Sequence, residues 1–182
     1  MNTRLLILLL GMACLTFTAC DNDDEEPMMA EDTLYQKLGG TNMVADPATG
    51  GMIEQGRLGL RSVVDSSIFV IAADPVLSPY FASLLSEVGN GNTTNLAVLS
   101  ENLTDFFCVA TGAENYTYDG MDMVSAHDPA QNPRMAQKST DAAYDAFVAA
   151  VAEGAMQNNV PEDLIGEVGA LLETLRADVV QQ

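Results

Sequence analysis

Four stretches of this chain repeat apolar residues at intervals of three and four, the period at which one face of an α-helix meets a core. Leu58 to Ala73 is the first, and Asp74 with Pro75 stops it. Thr94 to Ala110 sets Leu96, Leu99, Leu103, Phe106 and Phe107 on one side. Ser139 to Asn158 does the same with Tyr144, Phe147, Val148, Val151 and Ala155. Pro161, Glu162 and Asp163 then open a run through Leu164, Val168, Leu171, Leu172, Leu175 and Val179. Acids in its first turn and Arg176 near its end suit the helix dipole. Ser78 to Phe81 predicts one short helical turn. Connectors rich in Gly, Asn and Pro lie between, at Gly39 and Gly40, Gly50 and Gly51, Gly89 to Asn92, and Asp128 to Pro133. Val63, Val64 and the run Ile68 to Ile71 are where a strand competes. Long helical patterns without regular hairpin spacing predict an all-α domain.

The amino terminus reads differently. Arg4 precedes an apolar run from Leu5 to Thr18, then Ala19 and Cys20, after which the chain turns acidic. That order of charge, apolar core and small residues is that of a secretory signal, here residues 1–19. Ala19 and Cys20 resemble the lipobox of bacterial lipoproteins, although Phe17 stands where an aliphatic residue is usual. The resemblance implies cleavage before Cys20, a lipid on Cys20 and a membrane anchor in the bacterial cell envelope. An ordinary cleaved signal with a free Cys20, or an uncleaved anchor, is the alternative. Asp21 resembles the signal that retains some lipoproteins in the inner membrane, facing the periplasm; the outer membrane is the other destination. Residues 20–32 form an acidic tether too polar to bury a core. Residues 33–182 suit one domain.

Of the three cysteines, Cys14 leaves with the signal and Cys20 takes the lipid, so Cys108 has no partner for a disulfide. It reads as a small buried apolar residue, with a redox thiol as the alternative. No C-x-x-C-H occurs, which argues against covalent haem attachment. Once the signal is removed, 26 acidic residues face six basic ones. Such a charge repels phosphate backbones and anionic lipid surfaces, so no nucleic acid is expected as a partner.

His127 is the only histidine. It ends a short helical segment, Met123 to His127, just before a Pro-containing loop and about 20 residues after the Phe106–Phe107 pair. One imidazole offered across an aromatic-lined gap is what pentacoordinate haem iron needs.

Five landmarks in order then resemble the group I truncated haemoglobins. Thr33 to Gly40 is similar to the family's opening, where paired glycines break the first helix. Ala73, Asp74 and Pro75, with Leu77 and Pro79 to Phe81, match the next. Phe106, Phe107, Thr111, Gly112, Tyr116 and Thr117 match the third. Met123 to His127 matches the segment bearing the proximal histidine, and Val160 to Ile165 with Leu175 to Val179 match the last helix. The resemblance implies a two-on-two helical globin fold and non-covalent haem b. It implies His127 as the iron ligand and Phe81 against the porphyrin. Ile68, Phe69, Leu99, Leu103, Phe107 and Met123 would complete the cofactor-binding set.

Two departures stand out. Residues 41–56 read as an insertion, taken as a surface loop in preference to a docking or gating element. The distal side reads as apolar: Ile68 stands where the family places a tyrosine, and Leu103 where it often places a glutamine. Asn102 and Tyr80 are the nearest polar candidates. A hydrogen bond to a polarised ligand contributes roughly 1.5–3 kcal/mol, and each 1.4 kcal/mol is tenfold in affinity, so oxygen loses more here than carbon monoxide or nitric oxide. Arg134 and Lys138 are candidates for haem propionates or for solvated positions.

The reading favoured is a non-enzymatic haem protein that reversibly binds a diatomic gas for transport, scavenging or sensing. Two others stay open. One is a haem enzyme such as a nitric-oxide dioxygenase, with an unidentified reductase. The other is a haem-less globin-fold lipoprotein acting in protein contacts.

Overall fold

The computed structural model describes residues 31–182; the signal-like segment and Cys20 lie outside the described residues. α1 (Leu34–Lys37) is a single turn opened by a capping box, in which Thr33 and Gln36 satisfy each other's backbone amides. Gly39 and Gly40, at φ +120° and +57°, end it in conformations that side chains rarely adopt.

The next segment differs from the loop expected there. β1 (Met43–Ala45) and β2 (Met52–Glu54) form an antiparallel hairpin with Val44 opposite Ile53. Two buried acids dock it. Asp46 accepts from the Ala48 amide, the Thr49 hydroxyl and the Arg61 guanidinium, at 2.9, 2.9 and 2.6 Å. Glu54 accepts from Tyr35 Oη at 2.6 Å and Asn115 Nδ2 at 2.7 Å. Three residues per strand are too few for a period of two to register in the sequence.

α2 (Gln55–Ala73) is the central helix and absorbs the valine and isoleucine cluster, so the competing strand does not form. It packs on α4 (Thr94–Ala110) and on α6 (Asp141–Gln157), and α6 packs on α7 (Glu162–Glu173). Where α2 and α6 cross, Gly154 faces Ser67, and Asn158 Nδ2 donates to Ser62 O and Ser66 Oγ at 3.1 and 2.8 Å. A 3₁₀ turn at Ser78–Phe81 runs into α3 (Ala82–Gly89), a helix the periodicity did not announce. The final helix, expected to be continuous, tightens at Thr174 and Leu175 and restarts as α8 (Arg176–Val179).

Two apolar clusters result. Tyr35, Leu60, Val64, Phe107, Cys108, Val151 and Leu172 form the larger. Ile71, Leu77, Tyr80, Ala143 and Ala150 form the smaller, and Phe147 packs against both.

Candidate functional site

His127 closes α5 (Met123–His127), a helix too short to hold itself. Its fixings come from elsewhere. Asp122 caps its first turn by accepting from the Ser125 amide at 2.9 Å. Asn132 Nδ2 donates to the Ala126 carbonyl and Gln181 Nε2 to the Val124 carbonyl, each at 2.8 Å. The approach from α4 is pinned as well: Tyr116 lies under the Arg57 guanidinium, and Tyr118 packs edge-on against Phe106 at 5.6 Å. Tyr118 Oη also donates to the Met121 carbonyl.

The imidazole itself is half-buried. His127 Nδ1 lies 2.8 Å from the Met123 carbonyl, which can only accept, so Nδ1 carries the proton. Nε2 is then a lone-pair donor with no hydrogen-bond partner among the described residues. Burial holds the ring below its ordinary value, with the Met123 carbonyl pulling the other way, so the neutral form prevails at neutral pH. A neutral imidazole with one nitrogen tied to a carbonyl and the other open is the form that ligates a metal. No cluster of three or more His, Cys, Asp or Glu suited to a metal ion occurs among the described residues.

The expected cofactor-binding residues divide into three groups. Ile68, Leu99, Leu103, Phe81 and Met123 are half-buried and apolar; Ile68 and Leu103 pack against the larger core, Phe81 packs against the smaller, and Met123 opens α5 itself. Phe107 is buried in the larger core and lines an internal apolar cavity of about 40 Å³ with Leu60, Val64, Val151 and Leu172. Its neighbour Phe106, which the sequence reading left out of the set, is the half-buried ring of that pair. Phe69 corrects the reading: it is 74 % exposed and borders an open groove with Glu153 and Gln157. Successive helical residues diverge by about 100°, so when Ile68 turns inward Phe69 turns out.

Of the two polar candidates, Tyr80 is buried in the smaller core and Asn102 is exposed. Arg57, itself buried, ties α2 to α4 beside Cys108. It donates to Asp105 at 2.6 Å and pairs with Glu101, two residues on the side of the helix away from Leu103. Cys108 is fully buried, and burial pushes its thiol up to about 11, which leaves it inert at neutral pH.

No protein-family model matches the chain, and no curated protein matches it. Among solved structures it is similar to the truncated haemoglobin of Tetrahymena pyriformis in its Fe(III) form. The two are 20% identical, with a TM-score of 0.60, over 83% of this chain and 100% of that one. Two variants of the same protein give TM-scores of 0.60 and 0.59 at the same identity and coverage. The chain therefore has an all-α fold, that of a two-on-two globin.

Proposed function

We propose that this chain is a haem protein of the group I truncated-haemoglobin type that reversibly binds a diatomic gas at the cell envelope. The observation that carries the proposal is the state of His127, with Nδ1–H held by the Met123 carbonyl and Nε2 open. The likeness to a solved truncated haemoglobin, over the whole length of that protein, supports it.

The residues present fit haem b. A single neutral nitrogen suits its iron, and half-buried Ile68, Leu99, Leu103, Phe81 and Met123 suit its apolar faces. When bound, haem supplies an iron able to coordinate oxygen, carbon monoxide or nitric oxide. The chain's own part is to fix the ligating nitrogen, exclude water and set the polarity on the far side. Ile68, Leu99 and Leu103 offer no hydrogen-bond donor there, which favours weakly polarised ligands and reversible binding over oxygen activation. Transport, scavenging or sensing needs nothing more. Cleavage before Cys20 and a lipid on that residue would hold the domain at the membrane through the acidic tether.

Titrating the purified chain with haem tests the core of this reading. A Soret band with a one-to-one endpoint is expected, with its ferrous carbonyl spectrum lost in His127→Ala and restored by added imidazole. No Soret band in the parent protein sinks the proposal. Metabolic labelling with a fatty acid tests the anchor separately: label should vanish in Cys20→Ala, and an unlabelled parent chain would exclude lipidation.

A further inference from the structure

The charge inventory of the domain singles out one cation. The described residues hold six Lys and Arg side chains in a large excess of acid. Four of them tie one element to another. Lys37 pairs with Glu167 on α7, Arg57 with Glu101 and Asp105, and Arg61 with Asp46. Arg176 is held by Asp141, Asp145 and Glu173 together. Lys138 is exposed and makes no ion pair among the described residues.

Arg134 is different. It lies seven residues beyond His127, its side chain is 44% exposed, and its one carboxylate partner is Glu87 on α3. The pair is a fork on a carboxylate, with Nη1 on Oε1 at 3.1 Å and Nη2 on Oε2 at 2.9 Å. Glu87 has a second support, since Asn95 Nδ2 donates to its Oε2 at 2.8 Å. Met135, the next residue, packs against the smaller core beside Tyr80 and Phe81. The loop after α5 is thus folded back onto the element that carries Phe81, and the Arg134–Glu87 pair spans from the His127 side to α3.

Resting on the haem reading above, we infer that Arg134 is the residue that binds a haem propionate, and that Glu87 is an internal carboxylate competing for the same fork. A dianionic cofactor entering so acidic a domain needs a cation; of the five that are paired Arg134 is the most exposed and the most easily released, and it offers a carboxylate the planar fork that unpaired Lys138 lacks. Its present bond is to a partly exposed carboxylate of the same geometry as a propionate, so exchanging one for the other is close to neutral. Glu87 keeps the Asn95 amide after the exchange, which further lowers the cost of letting go.

The test loads the full chain with haem and follows transfer to an excess of a tight apoglobin acceptor through the Soret band. Glu87→Gln removes the competitor's charge and should slow haem loss by about two- to five-fold, while Arg134→Met should speed it by a similar factor. Lys138→Met should change it little. With haem dimethyl ester, whose propionates carry no charge, all four proteins should lose haem at one rate. If Glu87→Gln and Arg134→Met both accelerate loss, the pair is a structural brace and the inference is overturned. A persisting Arg134→Met effect with the ester, or a dominant Lys138→Met effect, overturns it too. Failure of the haem reading is separable, because the parent chain would then give no Soret band to follow.

Discussion

Gly154→Ala is the substitution whose effect the structure sizes best. A β-carbon built there lies 2.2 Å from Ser67 Oγ, 2.8 Å from Ser67 N and 2.9 Å from the Val63 carbonyl oxygen. The first contact could be relieved by turning a hydroxyl, but the other two are backbone of α2 and yield only if the two helices part. Overpacking costs about 1–3 kcal/mol, and two rigid contacts place this case toward the upper end. Replacing a mid-helix glycine with alanine returns about 1 kcal/mol of helix propensity. The net expectation is a loss of about 2 kcal/mol, or a melting temperature lower by about 4–8 °C for a domain of this size. Urea and thermal unfolding of the haem-free protein measure it. Ser67→Ala in the same chain should recover only part of the loss, because the backbone contacts remain. A variant more stable than the parent, as an unobstructed glycine-to-alanine change gives, would refute the reasoning. Since Ile68 follows Ser67 directly, the same separation of α2 from α6 should also shift the carbonyl spectrum of the haem-loaded protein.

Three further outcomes are expected. Ile68→Tyr or Leu103→Gln should slow oxygen dissociation by about 10- to 100-fold and affect carbon monoxide far less, as stopped-flow mixing will read; unchanged oxygen release in both would show that neither residue faces the ligand. Tyr35→Phe withdraws one of two donors from the buried Glu54 carboxylate and should cost about 1–3 kcal/mol in urea unfolding, with an unaltered midpoint contradicting the accounting. The Arg61 guanidinium, then the Ala48 amide, hold the Asp46 carboxyl below its ordinary 3.8. Its folded value being depressed, the stabilisation is fully present above pH 3.8 and is lost as pH falls through the lowered value. Amide exchange at Ala48 should therefore stay protected at pH 3.8, whereas early loss of protection, well above that pH, would count against the hydrogen bond.

The long helices were legible because burial on one face writes its period into the sequence. α2, α4, α6 and α7 lie where the spacing of Leu60, Leu103, Val151 and Leu172 puts them. Short elements carry no such period. α3 offers little more than Leu84, Leu85 and Val88 beside a glycine-rich end, and the β1–β2 hairpin is held by Asp46 and Glu54, whose charges read as surface until Arg61 and Tyr35 are seen beside them. His127 was found because it is unique, but the proton on Nδ1 depends on a carbonyl that only the coiled backbone brings near. Phe69 lies about 100° around α2 from Ile68, so the register that turns Ile68 inward leaves Phe69 exposed. The partnership of Arg134 with Glu87, 47 positions apart, left no local mark.

Cys108 gives this domain a probe already in place. It is the one thiol among the described residues, fully enclosed beside Phe107, with burial pushing its ionisation up to about 11. In residues 31–182 expressed alone, alkylation at neutral pH must wait for the surrounding helices to come apart. Pulse labelling followed by mass measurement would then count those openings one molecule at a time, with no engineered cysteine to disturb what is being timed.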